Sequence, residues 1–179
     1  SLFLCCLMVV SVGTVWSKST VSGFDKAGSK LSNRDLIPHL SSKEYYGEKY
    51  TFDADFGKRG RFYFSMSITN IGMGDHKMHA KGVLKVDGEK FRWSFKKDKG
   101  DWSYDKKSIL IKAGGATLSG SIDNLTFTAE HKGSEVMLTF KPLAQSRKPH
   151  KGGLKFAKNL KTQYHLFPLS NVTGIFKQK

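Results

Sequence analysis

An all-β fold, an antiparallel meander closing into a β-barrel with a β-sandwich as the alternative, is predicted by three features of the sequence. Apolar and polar residues alternate with period two from Lys49 onward, the spacing of half-buried strands. Turn residues separate these runs at short intervals, and no segment carries the apolar stripe of a helix. Strands with one apolar face can hide it by closing on themselves or by packing as two sheets. The short connections between Lys49 and Lys141 favour closure over the long returns of a Greek key.

Residues 1–17, SLFLCCLMVVSVGTVWS, carry no charge and end in small or polar residues. The run is shorter than the roughly 20 apolar residues of a spanning helix, so it predicts a signal peptide clipped at its start and a secreted or periplasmic protein, with a retained anchor as the alternative. Residues 18–48 are rich in Ser, Lys and Gly and read as a linker or N-terminal arm, in which Leu36, Ile37 and Leu40 can dock locally.

The barrel domain is expected over residues 49–177. Phe62, Phe64, Met66 and Ile68 share one face of a strand, with Tyr63, Ser65, Ser67 and Thr69 on the other. Met78 to Val86, Phe91 to Phe95, Ile109 to Ile111, Leu125 to Ala129 and Val136 to Phe140 repeat the alternation. Asp87-Gly88 joins two of these runs as a type I′ hairpin, whose central residues both need positive φ. Ile71-Gly72-Met73-Gly74 then reads as barrel rim rather than phosphate loop, because it ends a strand without opening a helix. Pro142 to Gly153 is a loop carrying Arg147, Lys148, His150 and Lys151, either a solvated linker or a patch for anionic head groups. Lys155 to Leu160 is the only stretch that fits a short helical turn, and two short strands follow, Tyr164–Phe167 and Val172–Phe176.

The chain of 179 residues is the size of one domain, and its net charge of +15 lies wholly after the leader. Such a charge seeks anionic surfaces, and says nothing about fold. Both cysteines, Cys5 and Cys6, fall in the leader, so the remainder is expected to hold no disulfide, thiolate metal site or cysteine nucleophile. Nucleic acid is not expected as a partner, because Phe62, Phe64, Phe91, Trp93 and Phe95 share faces with aliphatic residues while the lysines lie opposite.

His76 and His79, with Asp75, are the one close histidine pair, but residues three apart on a strand point to opposite faces, and no metal or other cofactor is expected. Acid catalysis would need an inward carboxylate. Asp53, Asp55 and Glu130 are the candidates, and all fall on polar faces or in turns. Hydrolase elbows and phosphate loops are absent from the sequence. Asn124-Leu125-Thr126 and Asn171-Val172-Thr173 match the N-glycosylation pattern, which has meaning only in a eukaryotic secreted chain.

The order TFDADFGKRGRFYFSMSITNIG, VDGEKFRWSFKKDKGDW, SGSIDNLTFTAEHKGSEVMLTFKPLAQ and YHLFPLSNVTG resembles the lipocalin-like family of carotenoid hydratases of the hydroxyneurosporene type, AttH-like bacterial proteins and fungal survival factors. The resemblance runs from about Lys49 to Gly174 and rests on structural phrases, FYFSMSITNIG, GSEVMLTFKP and FPLSNVTG, with no catalytic signature. It implies a lipocalin-like barrel, the first of the two such barrels that members of the family carry in tandem. An interior ligand would then be lined by Phe62, Phe64, Met66, Trp93, Phe95, Phe127 and Leu138, with Met73, Met78 and Met137 as adaptable neighbours. The expected function is non-catalytic binding or transport of a lipid or isoprenoid, with the basic exterior favouring anionic membranes. The alternatives are a hydratase adding water to a polyene and a structural module with a filled interior.

Overall fold

The computed structural model describes Leu7–Met8, residues 29–70, 75–148, Leu154–Ala157, Leu160–Thr162, Tyr164–His165 and residues 169–177. Most of the expected signal segment, the Ile71 to Gly74 rim, and His150 and Lys151 of the basic loop lie outside the described residues.

The fold is all-β and antiparallel. Strands β1 (Gly47–Asp55), β2 (Gly60–Thr69), β3 (Lys77–Val86) and β4 (Glu89–Lys97) form a four-stranded sheet in sequence order. Strands β5 (Trp102–Tyr104), β6 (Ile109–Ala113), β7 (Ala116–Ser121), β8 (Asn124–His131), β9 (Ser134–Pro142) and β10 (Ser170–Lys177) form a six-stranded sheet, also in sequence order. Two-residue ladders join Ser29–Lys30 to Arg147–Lys148 and Leu7–Met8 to Tyr164–His165. Leu154–Ala157 pairs with Leu160–Thr162 as a strand pair, where the sequence suggested a helical turn.

The two sheets do not close into a barrel, so the sandwich alternative fits. Among the described residues no ladder joins β4 to β5 or β1 to β10. The chain leaves one sheet for the other at Asp98–Asp101, a turn in which the Asp101 N–H donates to the Asp98 carbonyl at 3.0 Å. Closure is not needed to hide the apolar faces, because the two sheets cover each other. Phe52, Phe62 and Phe64 of one sheet meet Phe127 and Phe140 of the other, all fully buried, with Phe64 and Phe127 centroids 3.9 Å apart and Phe52 and Phe140 5.3 Å apart. Packed sheets stand about 10 Å apart, and a hydrogen-bonded ladder needs about 4.8 Å.

Local chemistry sets the register. Asp87 and Gly88 have φ of 49° and 88°, the left-handed pair a type I′ turn requires, and Lys132-Gly133 repeats the device between β8 and β9. The arm before β1 is tied down as well as docked. Leu31, Leu36 and Ile37 are buried, around a 3₁₀ turn at Asn33–Leu36. The Leu31 N–H donates to the Ser146 carbonyl, the Ile122 N–H to Asn33 Oδ1, and Lys148 Nζ to Asp35 at 2.7 Å. Burial alone would raise Asp35; the bonds from Lys148 and Ser32 outweigh it and hold the carboxyl below its ordinary value. Lys148 is thereby committed to Asp35 rather than free for a head group.

Candidate functional site

Inner-face residues of the strands divide into a sealed centre and two open edges. Phe62, Phe64, Met66 and Phe127, expected to line a ligand, are completely buried, and the three rings touch one another in the core cluster that also holds Met66. Trp93 joins this group through Phe62, their centroids 6.2 Å apart. It reaches that position because Gly82 stands directly opposite it on β3. A side chain at Gly82 would come within 2.8 Å of Phe64 and 3.3 Å of Trp93. Phe95 lies apart, edge-on to His131 at 5.7 Å. Met137 is exposed on the outer face of β9.

The open edge that gathers the remaining expected residues is the seam where β4 faces β9 and β10. A cleft of about 160 Å³ is lined by Phe91, Trp93, Ala129, Val136 and Phe176, with Lys90, Arg92, Lys132 and Glu135 at its margin. A second, of about 280 Å³, is lined by Phe56, Leu84, Val86, Leu138, Val172 and again Val136 and Phe176. Phe91 and Phe176 meet across the seam at 4.3 Å, with their planes 48° apart. The sequence-predicted Trp93 and Leu138 therefore fall on the two clefts, and Phe176 divides them.

Val136 and Phe176 line both clefts, so an extended ligand running along the seam would pass from one to the other over the Phe176 ring. The Trp93 indole nitrogen is buried and has no hydrogen-bond partner among the described residues. A buried indole N–H ordinarily finds an acceptor, and leaving it unmet costs about 1–3 kcal/mol.

At another end of the sandwich the structure places an inward carboxylate that sequence reasoning missed. Glu48 shares the inner face of β1 with Tyr50, Phe52 and Ala54 and is buried. The His39 N–H donates to it at 2.8 Å and the Tyr50 hydroxyl at 3.2 Å, while His39 Nδ1 stands 3.9 Å away. Burial raises the carboxyl above its ordinary value, against these hydrogen bonds, and burial together with the Glu48 charge pushes the Tyr46 and Tyr50 phenols upward. The Tyr46 hydroxyl lies beside Glu48 without meeting hydrogen-bond geometry. The signal for Glu48 was its phase, two residues before Tyr50. Outside it is a wider, cationic cleft of about 480 Å³, lined by Arg34, Ile37, Pro38, His39, Tyr104, Lys106 and Lys107.

The other candidate acids face away from the core. Asp53 pairs bidentately with Arg61 on the outer face, Asp55 accepts the Gly57 N–H at 2.8 Å, and Glu130 is exposed. The two histidines are engaged separately: His76 bonds Asp75 at 2.6 Å and the Ser41 carbonyl at 3.1 Å, and His79 bonds Ser94 at 3.1 Å. No protein-family model matches the chain, and no curated protein or solved structure matches it.

Proposed function

We propose that this protein binds an apolar ligand, a lipid or an isoprenoid, in the seam between its two sheets without doing chemistry on it, and that its basic exterior meets anionic membranes in a secreted or periplasmic setting. The observation that carries the reading is the pair of apolar clefts sharing Phe176 and Val136, with cations at the margin. The filled centre moves the ligand from the interior to this edge. The resemblance of FYFSMSITNIG, GSEVMLTFKP and FPLSNVTG to the lipocalin-like family supports the same ligand class.

Organic extraction of the purified chain followed by mass analysis tests it, together with titration by a fluorescent fatty acid. The wild type should carry or take up the apolar probe, and Val172→Trp, which fills the larger cleft, should not. Reproducible absence of ligand with no uptake would remove the reading. Its vesicle binding should fall steeply with salt, since exposed charges are screened beyond about 8 Å at physiological ionic strength.

Glu48 favours a second reading, a hydratase-type enzyme in which a buried carboxyl, raised above its ordinary value by burial, protonates a polyene. Loss of a detected hydration activity in Glu48→Gln is its expected result; full activity in that variant would retire it.

A further inference from the structure

The outward positions of β3 are Lys77, His79, Lys81, Val83 and Lys85, and those of β4 are Lys90, Arg92, Ser94 and Lys96. None is acidic. Register places Lys85 directly across from Lys90 and His79 across from Lys96, while Arg92 follows Lys90 two residues on. Like charges set opposite each other on a sheet destabilise it. Arg92 first, then burial and Lys85, hold the Lys90 ammonium below its ordinary value, and His79 is lowered by burial and then by Lys81 and Lys96. Arg59 and Arg61 beside this face pair with Asp87 and Asp53, and at the start of β3 Lys77 pairs with Asp98.

Lysines on an exposed edge strand commonly serve only to block edge-to-edge pairing. That account covers β4, an edge of the four-stranded sheet, but not Lys81 and Lys85, which stand on the interior strand β3. A row of cations on two adjacent strands is a surface of one sign, held at fixed spacing by the ladder.

We propose that the outer face of β3 and β4 is the surface by which the protein docks on an anionic lipid bilayer. The proposal rests on the membrane half of the function proposed above and is independent of its cargo. Charge complementarity selects an anionic partner. The absence of aromatic side chains from these outward positions argues against single-stranded nucleic acid, which needs rings to stack on; Phe91, Trp93 and Phe95 all turn inward. Lys90 and Arg92 belong both to this face and to the margin of the smaller cleft. A protein lying on its β3–β4 face therefore brings the seam to the lipid surface.

The test is co-sedimentation of the full chain with phosphatidylcholine vesicles, with and without phosphatidylserine. Lys81→Ser, Lys85→Ser, Lys90→Ser and Arg92→Ser are combined in one variant. A charge-matched control combines Lys106→Ser, Lys107→Ser, Lys112→Ser and Lys141→Ser, all outside this face. Both are checked by thermal melting, and a third variant combining Lys81→Arg, Lys85→Arg and Lys90→Arg, with Arg92 kept, should bind as the wild type does. The face variant should lose about fivefold in affinity for each cation removed, and the control much less. Equal losses in the two variants would overturn the docking face while leaving membrane binding intact. No binding of the wild type to phosphatidylserine would overturn the membrane reading itself. Tighter binding of the wild type to single-stranded RNA than to the vesicles, at one salt concentration, would assign the face to nucleic acid and also overturn the proposal.

Discussion

If the Phe91–Phe176 contact holds the seam shut, removing the two rings must show coupling. Each ring is half-buried and packs on the core from its own sheet, the two centroids 4.3 Å apart. Full burial of a phenylalanine is worth about 1.5–3 kcal/mol, so Phe91→Ala or Phe176→Ala alone should cost about 1–1.5 kcal/mol. A contacting aromatic pair adds about 0.5–1.5 kcal/mol beyond area, and the double variant should therefore lose less than the two singles together by that amount. Urea unfolding followed by tryptophan fluorescence measures all four corners of the cycle, with Trp93 beside the contact as reporter. The same Phe176→Ala protein should take up more fluorescent fatty acid, because Phe176 separates the clefts. Losses additive to within about 0.3 kcal/mol would refute the idea that these rings latch the seam.

Three other substitutions probe the core and the buried acid. Phe127→Ala empties a site shared by rings of both sheets and should cost about 3–5 kcal/mol in chemical denaturation; a loss as small as that of Phe91→Ala would contradict the sealed centre. Gly82→Ala should cost about 1–3 kcal/mol through collision with Phe64 and the Tyr63 carbonyl, and an unchanged Tm would sink that account. For Glu48, the folded state holds the proton more tightly than the unfolded state, so the group's contribution is complete below the ordinary value of 4.5 and is lost as pH rises through the raised folded value. Glu48→Gln should thus match the wild type below about pH 4 and exceed it at mildly alkaline pH; parallel stability curves across that range would show that the carboxyl is not held in its protonated form.

Alternation made the sheets readable in advance. Phe62, Phe64, Met66, Phe127 and Leu138 are inward as their period requires, and Asp87-Gly88 is the turn its dipeptide specifies. Closure was not readable, because period two fixes which side of a strand is buried and carries no information on whether the first and last strands meet. Face-to-face packing hides the apolar sides without closure, through rings that meet across the gap. Glu48 was missed for a simpler reason: the alternation was started at Lys49, one residue late, and a carboxylate seldom occupies an inward position. The seam was beyond reach as well, since Phe91 and Phe176 are far apart in the chain and come together only when the second sheet is laid on the first.

One ladder differs from the rest in a way that bears on folding kinetics. Within the two large sheets every strand pairs with its neighbour in sequence, and β10 joins β9 across the whole of Leu143 to Leu169. Local hairpins close quickly, whereas pairing across a greater sequence separation carries an entropic penalty that grows as its logarithm. β10 should therefore be the last strand to zip up and the first to peel away, on an edge where, among the described residues, its one partner strand in the sheet is β9. Native-state hydrogen exchange would then find β10 the least protected strand of its sheet, opening without global unfolding. Because Phe176 rides on that strand, entry to the seam would be governed by the opening rate of a single edge strand rather than by the stability of the domain.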